Sequence, residues 1–299
     1  VPERAPPGWF QPGRFPPERA GAFLRLVRAE NCVMAGLATL VGAGTAATPA
    51  SALDAAGAGW AVAGSVTTVM LVLAFGNVLN DLADEAADAV GKSRRPLPSG
   101  RVSRSQASGL AWALLGGTAG VTLVTAPRQL LFVAVMCSVA ALYSPFLKRV
   151  PLLGNVTVAG QCGATLVFGA AAAGGVSRTT VGAALLVAVG MLCVEVAKTV
   201  EDHDADGRVG TRTVAHLVGV RHHPAIVGAS AASYLVVWAL LWPAAHSPML
   251  FAVAAAPIVP LLAFAVLPAG DEPAAARVPR YIVASKCLWP LALVALTGL

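Results

Sequence analysis

The sequence predicts an all-α, polytopic integral membrane protein, with about nine transmembrane helices around a central cavity capped on the cytoplasmic side. Three observations predict this class. Apolar residues make up 57% of the chain and charged residues only 12%, against about 25% charged in soluble proteins. Mean hydropathy is +0.71. Apolar runs long enough to cross about 30 Å of hydrocarbon recur from one end of the chain to the other.

Residues 1–22 come first, with Pro2, Pro6, Pro7, Pro12, Pro16 and Pro17 set among Arg and Glu. They lack an apolar core and read as a Pro-rich cytoplasmic arm, not a signal peptide. Phe23 to Arg28 then begins an amphipathic turn. Spans are predicted at roughly 31–47, 60–80, 106–125, 128–145, 152–174, 179–200, 223–244, 248–268 and 281–298. Ala, Gly and Val dominate them, which lets helix backbones approach closely in lipid. Residues 269–280, rich in Pro and charge, form an inner linker, and residues 23–299 are expected to be one transmembrane domain.

Orientation follows from Lys and Arg. With the N-terminus inside, nineteen of the 21 basic residues fall in inner segments and only Arg128 and Arg178 outside. The positive-inside rule therefore places the N-terminus in the cytoplasm. The net charge of +6 has the same origin: its basic residues are spread over every inner loop, so no nucleic-acid partner is expected. Cys32, Cys137, Cys162, Cys193 and Cys287 lie in or beside spans without paired spacing, and read as free thiols rather than a disulfide or zinc site.

The polar residues are concentrated in two places. The stretch GNVLNDLADEAAD, Gly76 to Asp88, ends the second apolar run. At 100° per residue, Asn77, Asp81, Asp84 and Asp88 fall within one narrow stripe of a helix, with Asn80 beside it. Stacked carboxylates repel one another, more strongly where the dielectric falls, so cations should sit between them. The second cluster, Lys198, Glu201, Asp202, Asp204 and Asp206, follows the sixth run. Asn80, Asp84 and Asp88 share their spacing with Lys198, Asp202 and Asp206, and a glycine follows each set at Gly91 and Gly210, a weak repeat of the kind that builds paired half-sites around one cavity. Both clusters fall on the cytoplasmic side.

Carboxylates and amide oxygens are hard ligands suited to Mg²⁺, which one or two carboxylates commonly hold together with substrate phosphates. A phosphorylated substrate is thus expected. Cations stand nearby to meet it: Lys92, Arg94 and Arg95 after the first cluster, Lys148 and Arg149 after Tyr143, and Lys198 at the second. His203, between acids, reads as solvated or outlying rather than as a metal ligand. Phe75, Phe168 and Trp289 either line an apolar tunnel or pack helices.

These residues resemble the UbiA superfamily of intramembrane prenyltransferases over nearly the whole chain. Its Asn-Asp-x-x-Asp-x-x-x-Asp motif is matched by Asn80, Asp81, Asp84 and Asp88, and its Asp-x-x-x-Asp motif by Asp202 and Asp206. The flanks agree at Gly76 and Asn77, at Arg95 to Gly100, at Tyr143, Ser144, Leu147 and Lys148, and in an Arg-x-x-Asn signature at Arg28 and Asn31.

The resemblance implies two Mg²⁺ ions held by Asn80, Asp81, Asp84, Asp88, Asp202 and Asp206, with Asp84, Asp88, Asp202 and Asp206 essential to ionisation. It implies diphosphate contacts from Asn31, Asn77, Asn80, Arg28, Arg94, Tyr143, Lys148 and Lys198. An isoprenyl diphosphate would lay its tail in an apolar tunnel and lose pyrophosphate. The allylic cation would then pass to an aromatic, quinone-precursor or lipid hydroxyl acceptor. In a smaller branch the prenyl chain captures its own cation and the enzyme is a terpene cyclase. A transporter built on repeats is a remote alternative, disfavoured by acids placed at the membrane edge instead of its midplane. One departure bears on the acceptor. Many lipid and chlorophyll members read Arg-Glu-x-x-Lys-Asp-x-Glu-Asp, where this chain has Val194 in place of the Arg and Thr199 in place of the first Asp. A cyclase needs no polar acceptor pocket, so the departure raises that alternative.

Overall fold

A computed structural model describes residues 17–47, 55–208, 212–267 and 272–299. Among these residues every regular element is a helix. α1 (Pro17–Val27) and α2 (Ala29–Gly44) meet at a 50° bend. Arg28, at the bend, has left-handed backbone angles (φ 52°, ψ 61°), a conformation that costs a non-glycine residue about 1–2 kcal/mol. α3 (Ala55–Gly91) runs 37 residues without a break. α4 (Arg104–Thr125) opens on a capping box between Ser103 and Gln106. α5 (Leu130–Tyr143), α6 (Leu153–Ala173) and α7 (Arg178–Glu201) follow. Two short helices, α8 (His203–Arg208) and α9 (Val214–Val218), precede α10 (His223–Leu241). α11 (Pro248–Ala252) and α12 (Ile258–Val266) form a broken pair bent by 45°, and α13 (Ala274–Ala295) comes last.

Among the described residues, six helices are long and apolar enough to cross a membrane, or eight if each bent pair is one span. The expected count of nine is not reached on this criterion, because the run at 128–145 forms an apolar helix of only 14 residues, α5. Pro127 and Pro145 bracket it, and proline cannot sit inside a helix without losing a hydrogen bond. The linker expected at 269–280 is helical from Ala274 onward. Pro273 caps α13, and the Arg277 guanidinium is buried over the Phe264 ring, donating to the Leu267 carbonyl oxygen at 3.2 Å. The expected arm boundary at residue 22 falls inside α1, and residues 1–16 lie outside the described residues.

The bundle is apolar outside as well as inside. Trp112, Leu131 and Met249 are each more than two-thirds exposed, while Leu166, Leu186 and Ile258 are fully buried. An apolar outer face on helices of this length is a lipid-facing one, so the chain is an integral membrane protein. With lipid as apolar as the interior, close packing must hold the helices together. Glycines supply it where α6 meets its neighbours: a Cβ on Gly163 would stand 2.6 Å from the Ala184 carbonyl oxygen of α7, and one on Gly169 1.9 Å from the Thr39 carbonyl oxygen of α2.

Candidate active site

The end of α3, the junction of α1 with α2, the turn after α5 and the end of α7 converge on one rim of the bundle. The acid stripe lies on α3 as the spacing predicts, and cations stand against it. Arg28 donates to Asn77 Oδ1 at 3.0 Å and to Asp81 Oδ1 at 2.8 Å. Asn77 in turn donates to the Val27 carbonyl oxygen at 2.9 Å. These bonds tie the strained residue Arg28 to α3 on both sides of the bend. Arg95 reaches Asp81 at 3.4 Å and Asp88 at 2.5 Å. On the other flank of the stripe, Lys148 donates to Asp84 at 2.5 Å and Ser144 to Asn80 at 3.2 Å.

The stripe therefore has two sides with different character. Asp81 and Asp88 have side chains only 5% and 9% exposed and are held by guanidinium groups. Asp84 is 20% exposed and meets a lysine on a flexible stem. Asp202 is more open still, at 34%, and receives Lys92 at 2.9 Å. That last ion pair joins groups 110 residues apart and brings the two acidic motifs to one rim.

The second motif departs from the helical repeat expected of it. α7 stops at Glu201, Asp202 is its C-cap (φ −89°, ψ 2°), and α8 starts afresh at His203. Asp202 and Asp206 are thus not successive turns of one helix. The side chain of Asp206 lies outside the described residues. His203 bonds Asp204 at 3.1 Å and stacks on His216 with ring centroids 4.1 Å apart.

The remaining expected residues are placed less uniformly. Asn31 is exposed in the first turn of α2 and makes no side-chain hydrogen bond among the described residues. Tyr143 ends α5, next to Ser144. Lys198 turns away from Asp202 to pair with Glu195. Arg28 and Arg94 line a cavity of about 510 Å³ together with Arg25, Asp81, Lys92 and Arg95. Arg25 and Arg94 are exposed there, with no carboxylate in ion-pair range among the described residues. Arg25, on the wall of that cavity, was missed as a site residue, because it lies in the sequence as an ordinary basic flank.

A second, apolar cavity of about 100 Å³ lies deeper, among α2, α3, α5 and α6. Ala35, Val72, Gly76, Phe132, Cys162 and Phe168 contribute to its walls. Gly76 directly precedes Asn77, so this cavity begins where the acid stripe ends. Of the three aromatic residues considered above, Phe168 lines it, stacked on Phe132 at 5.2 Å. Phe75 is buried, and Trp289 packs edge-on against Tyr234. The cysteines of the chain are free thiols.

Comparison with known proteins decides the lineage. Residues 35–282 match the UbiA prenyltransferase family. The chain belongs to that family. Two relatives show the same affinity. The digeranylgeranylglyceryl phosphate synthase of Methanoculleus marisnigri is 38% identical over 207 residues, covering 67% of this chain and 69% of its own. That of Methanopyrus kandleri is 37% identical over 217 residues, covering 72% and 76%. The fold agrees with the UbiA homolog of Aeropyrum pernix K1, at a TM-score of 0.68 and 22% identity over 86% of this chain and 97% of that one. It also agrees with the Archaeoglobus fulgidus UbiA homolog bound to GPP and Mg²⁺, at 0.66 and 16% identity over 92% and 99%.

As a UbiA-family prenyltransferase, the chain can be judged on its two departures, and neither faces the cavities. Val194 is fully buried in the core. Thr199 is buried against α10, its hydroxyl 3.0 Å from His223 Nε2 and donating to the Val196 carbonyl oxygen at 2.8 Å. The missing Arg and Asp therefore alter helix packing and leave the cavity walls unchanged. This removes the argument that had favoured cyclisation.

Proposed function

We propose that this chain uses Mg²⁺ to ionise an isoprenyl diphosphate and transfers the prenyl group to the hydroxyl of a phosphorylated glycerol lipid, with its rim facing the cytoplasm. The observation that carries the reading is the Lys92–Asp202 ion pair, which sets both acidic motifs on one rim directly above an apolar cavity.

The donor set suits the metal. Among the described residues no three His, Cys, Asp or Glu side chains converge on one point, but Mg²⁺ typically takes only one or two carboxylates and completes its shell with phosphate and water. Asp84, Asp202 and the amide oxygen of Asn80 would hold it, all hard oxygen donors. Asp88 and Asp206 complete the proposed set, and Asp81 supports it by anchoring Arg28 and Arg95. Bound there, Mg²⁺ would stabilise the charge that builds on the departing pyrophosphate. Lys92 and Lys148, already beside those carboxylates, would turn their ammonium groups to the diphosphate oxygens. The apolar cavity takes the prenyl tail and keeps water from the allylic carbon. Even with Lys286 set apart inside α13, eighteen basic residues on the cytoplasmic side, against two outside, support a cytoplasmic rim.

The acceptor reading rests on charge. The 510 Å³ cavity beside the donor site is walled by Arg25, Arg28, Lys92, Arg94 and Arg95, against one carboxylate, Asp81. Two of those arginines have no carboxylate partner among the described residues, so the cavity suits a second anion. The relatives are named as synthases of digeranylgeranylglyceryl phosphate, a product that carries such a phosphate. Arg25→Ala and Arg94→Ala are each expected to raise KM for the acceptor about tenfold, with KM for the donor unchanged. An exposed, charge-assisted hydrogen bond is worth about 1.5 kcal/mol. Steady-state kinetics with either substrate varied would check this.

The deciding assay uses purified protein with Mg²⁺ and geranyl, farnesyl or geranylgeranyl diphosphate. It is run with and without geranylgeranylglyceryl phosphate, with pyrophosphate and organic products measured. Ether product that needs both acceptor and Mg²⁺, and disappears with a chelator, is expected. A cyclised hydrocarbon or alcohol formed without acceptor would overturn the transferase reading.

A further inference from the structure

The polar face of α7 continues below Asp202. Glu195 lies seven residues deeper, about 10.5 Å along the axis and turned by only about 20°, so it looks into the same interior. Its side chain is 12% exposed and accepts an ion-pair hydrogen bond from Lys198. Asn155 of α6 secures the backbone at that point by donating to the Glu195 carbonyl oxygen at 3.2 Å. Lys286, counted above with the inner basic residues, instead lies well inside α13, twelve residues after its start. It is within electrostatic reach of Glu195, Lys198, Glu201 and Arg28. Cys162, on the wall of the apolar cavity, is likewise within reach of Glu195 and Lys198.

Ionisable groups inside a membrane span are costly and persist where function needs them. Counter-charge for Lys198 would account for one carboxylate at any depth along the helix. It does not account for a carboxylate placed between the rim, where the diphosphate sits, and the apolar cavity, where the tail sits. That level is where the allylic carbon must stand and where an acceptor oxygen must approach it.

We infer that Glu195 is the base that takes the acceptor's hydroxyl proton, an inference that rests on the hydroxyl-transfer reading above. The acceptor oxygen gives a lone pair to the allylic carbon and forms the ether bond. The bond from that carbon to the diphosphate oxygen breaks, its electron pair leaving with pyrophosphate. The proton released from the acceptor oxygen passes to a Glu195 carboxylate oxygen. An oxygen bonding to an allylic cation becomes strongly acidic, so a positioned carboxylate suffices. Lys198 orients the carboxylate, and Lys286 on α13 balances its charge.

The test measures ether, free prenyl alcohol and pyrophosphate together, with geranylgeranyl diphosphate, Mg²⁺ and geranylgeranylglyceryl phosphate. In Glu195→Gln, ether formation should fall about 100-fold while pyrophosphate release falls less than about tenfold, with prenyl alcohol replacing the ether. The ratio of ether to alcohol is therefore expected to fall well below the wild-type value in Glu195→Gln. An unchanged ratio in the variant would overturn the inference. So would equal loss of ether and pyrophosphate in a variant that unfolds at the wild-type temperature, the signature of a purely structural pair. Should Glu195→Gln fail to fold, Glu195→Asp keeps a carboxylate one methylene back and is expected to make ether within about tenfold of wild type; folded protein that makes only alcohol would overturn the proposal. Wild-type enzyme that releases pyrophosphate yet makes no ether would instead overturn the hydroxyl-acceptor reading, and the inference with it.

Discussion

Asp84→Ala and Asp202→Ala are each expected to slow pyrophosphate release by about a thousandfold while leaving the fold intact. Each removes a carboxylate proposed to hold Mg²⁺ against the leaving group, and loss of one preorganised electrostatic contact of this kind costs about 3–4 kcal/mol in the transition state. Stability should hardly change. The partners left behind, Lys148 and Lys92, are about a third exposed or more, and an ion pair open to water contributes at most about 1 kcal/mol. The double variant should be little slower than either single one, because groups that act as a unit do not add. Asp81→Ala provides the contrast. Its carboxylate is 5% exposed and accepts from both Arg28 and Arg95, so its loss leaves two guanidinium groups short of a partner and the side chain of the strained residue Arg28 held to α3 by Asn77 alone. That variant should lose about 2 kcal/mol of stability in addition to activity. Pyrophosphate release and thermal unfolding in detergent separate the two cases, and wild-type turnover in Asp84→Ala or Asp202→Ala would rule out the two-motif site.

Gly169→Ala and Gly42→Ala are expected to be the most damaging single-methyl changes in the bundle. A Cβ on Gly169 would stand 1.9 Å from the Thr39 carbonyl oxygen, and one on Gly42 2.1 Å from the Leu166 carbonyl oxygen. Both obstacles are backbone, so no side chain can rotate away. α2 and α6 would have to separate, and overpacking of this kind costs about 3 kcal/mol, roughly 10 °C in unfolding temperature for a chain this size. The consequence reaches the site, because α2 follows directly on Arg28 and shares the walls of the apolar cavity with α6 through Ala35 and Phe168. Gly116→Ala, where a Cβ meets nothing within 4 Å, should leave the unfolding temperature unchanged. Equal behaviour of Gly116→Ala and Gly169→Ala would show that the α2–α6 contact is looser than described.

The elements most legible in the sequence were those whose signal is local. The stripe on α3 follows from helical spacing, and the prediction that cations must separate its carboxylates is met by Arg28, Arg95 and Lys148. Boundaries were less legible wherever polarity and helicity part company. The apolar pattern ends the second span at residue 80, yet α3 continues to Gly91, because partners on other elements neutralise its acids. The bend at Arg28 leaves no mark in the sequence, since an arginine there looks like any basic flank. The same blindness put Lys286 among the loop charges, although it stands inside α13.

The sequence by itself determined that this is a membrane-embedded helical protein of the UbiA lineage, with two oxygen-rich motifs at spacings suited to a metal and a diphosphate. Composition and periodicity suffice for the membrane helices and the acid stripe, because both act over neighbouring residues, and the resemblance of the motifs supplies the lineage. Only the tertiary structure decided which cation meets which acid, since Arg28 and Asp81 are 53 residues apart and Lys92 and Asp202 110. It also decided that Val194 and Thr199 turn toward the packed core and that Glu195 turns toward the interior. A helix sets the angle between its own side chains, but which way that face looks is settled by the helices packed around it.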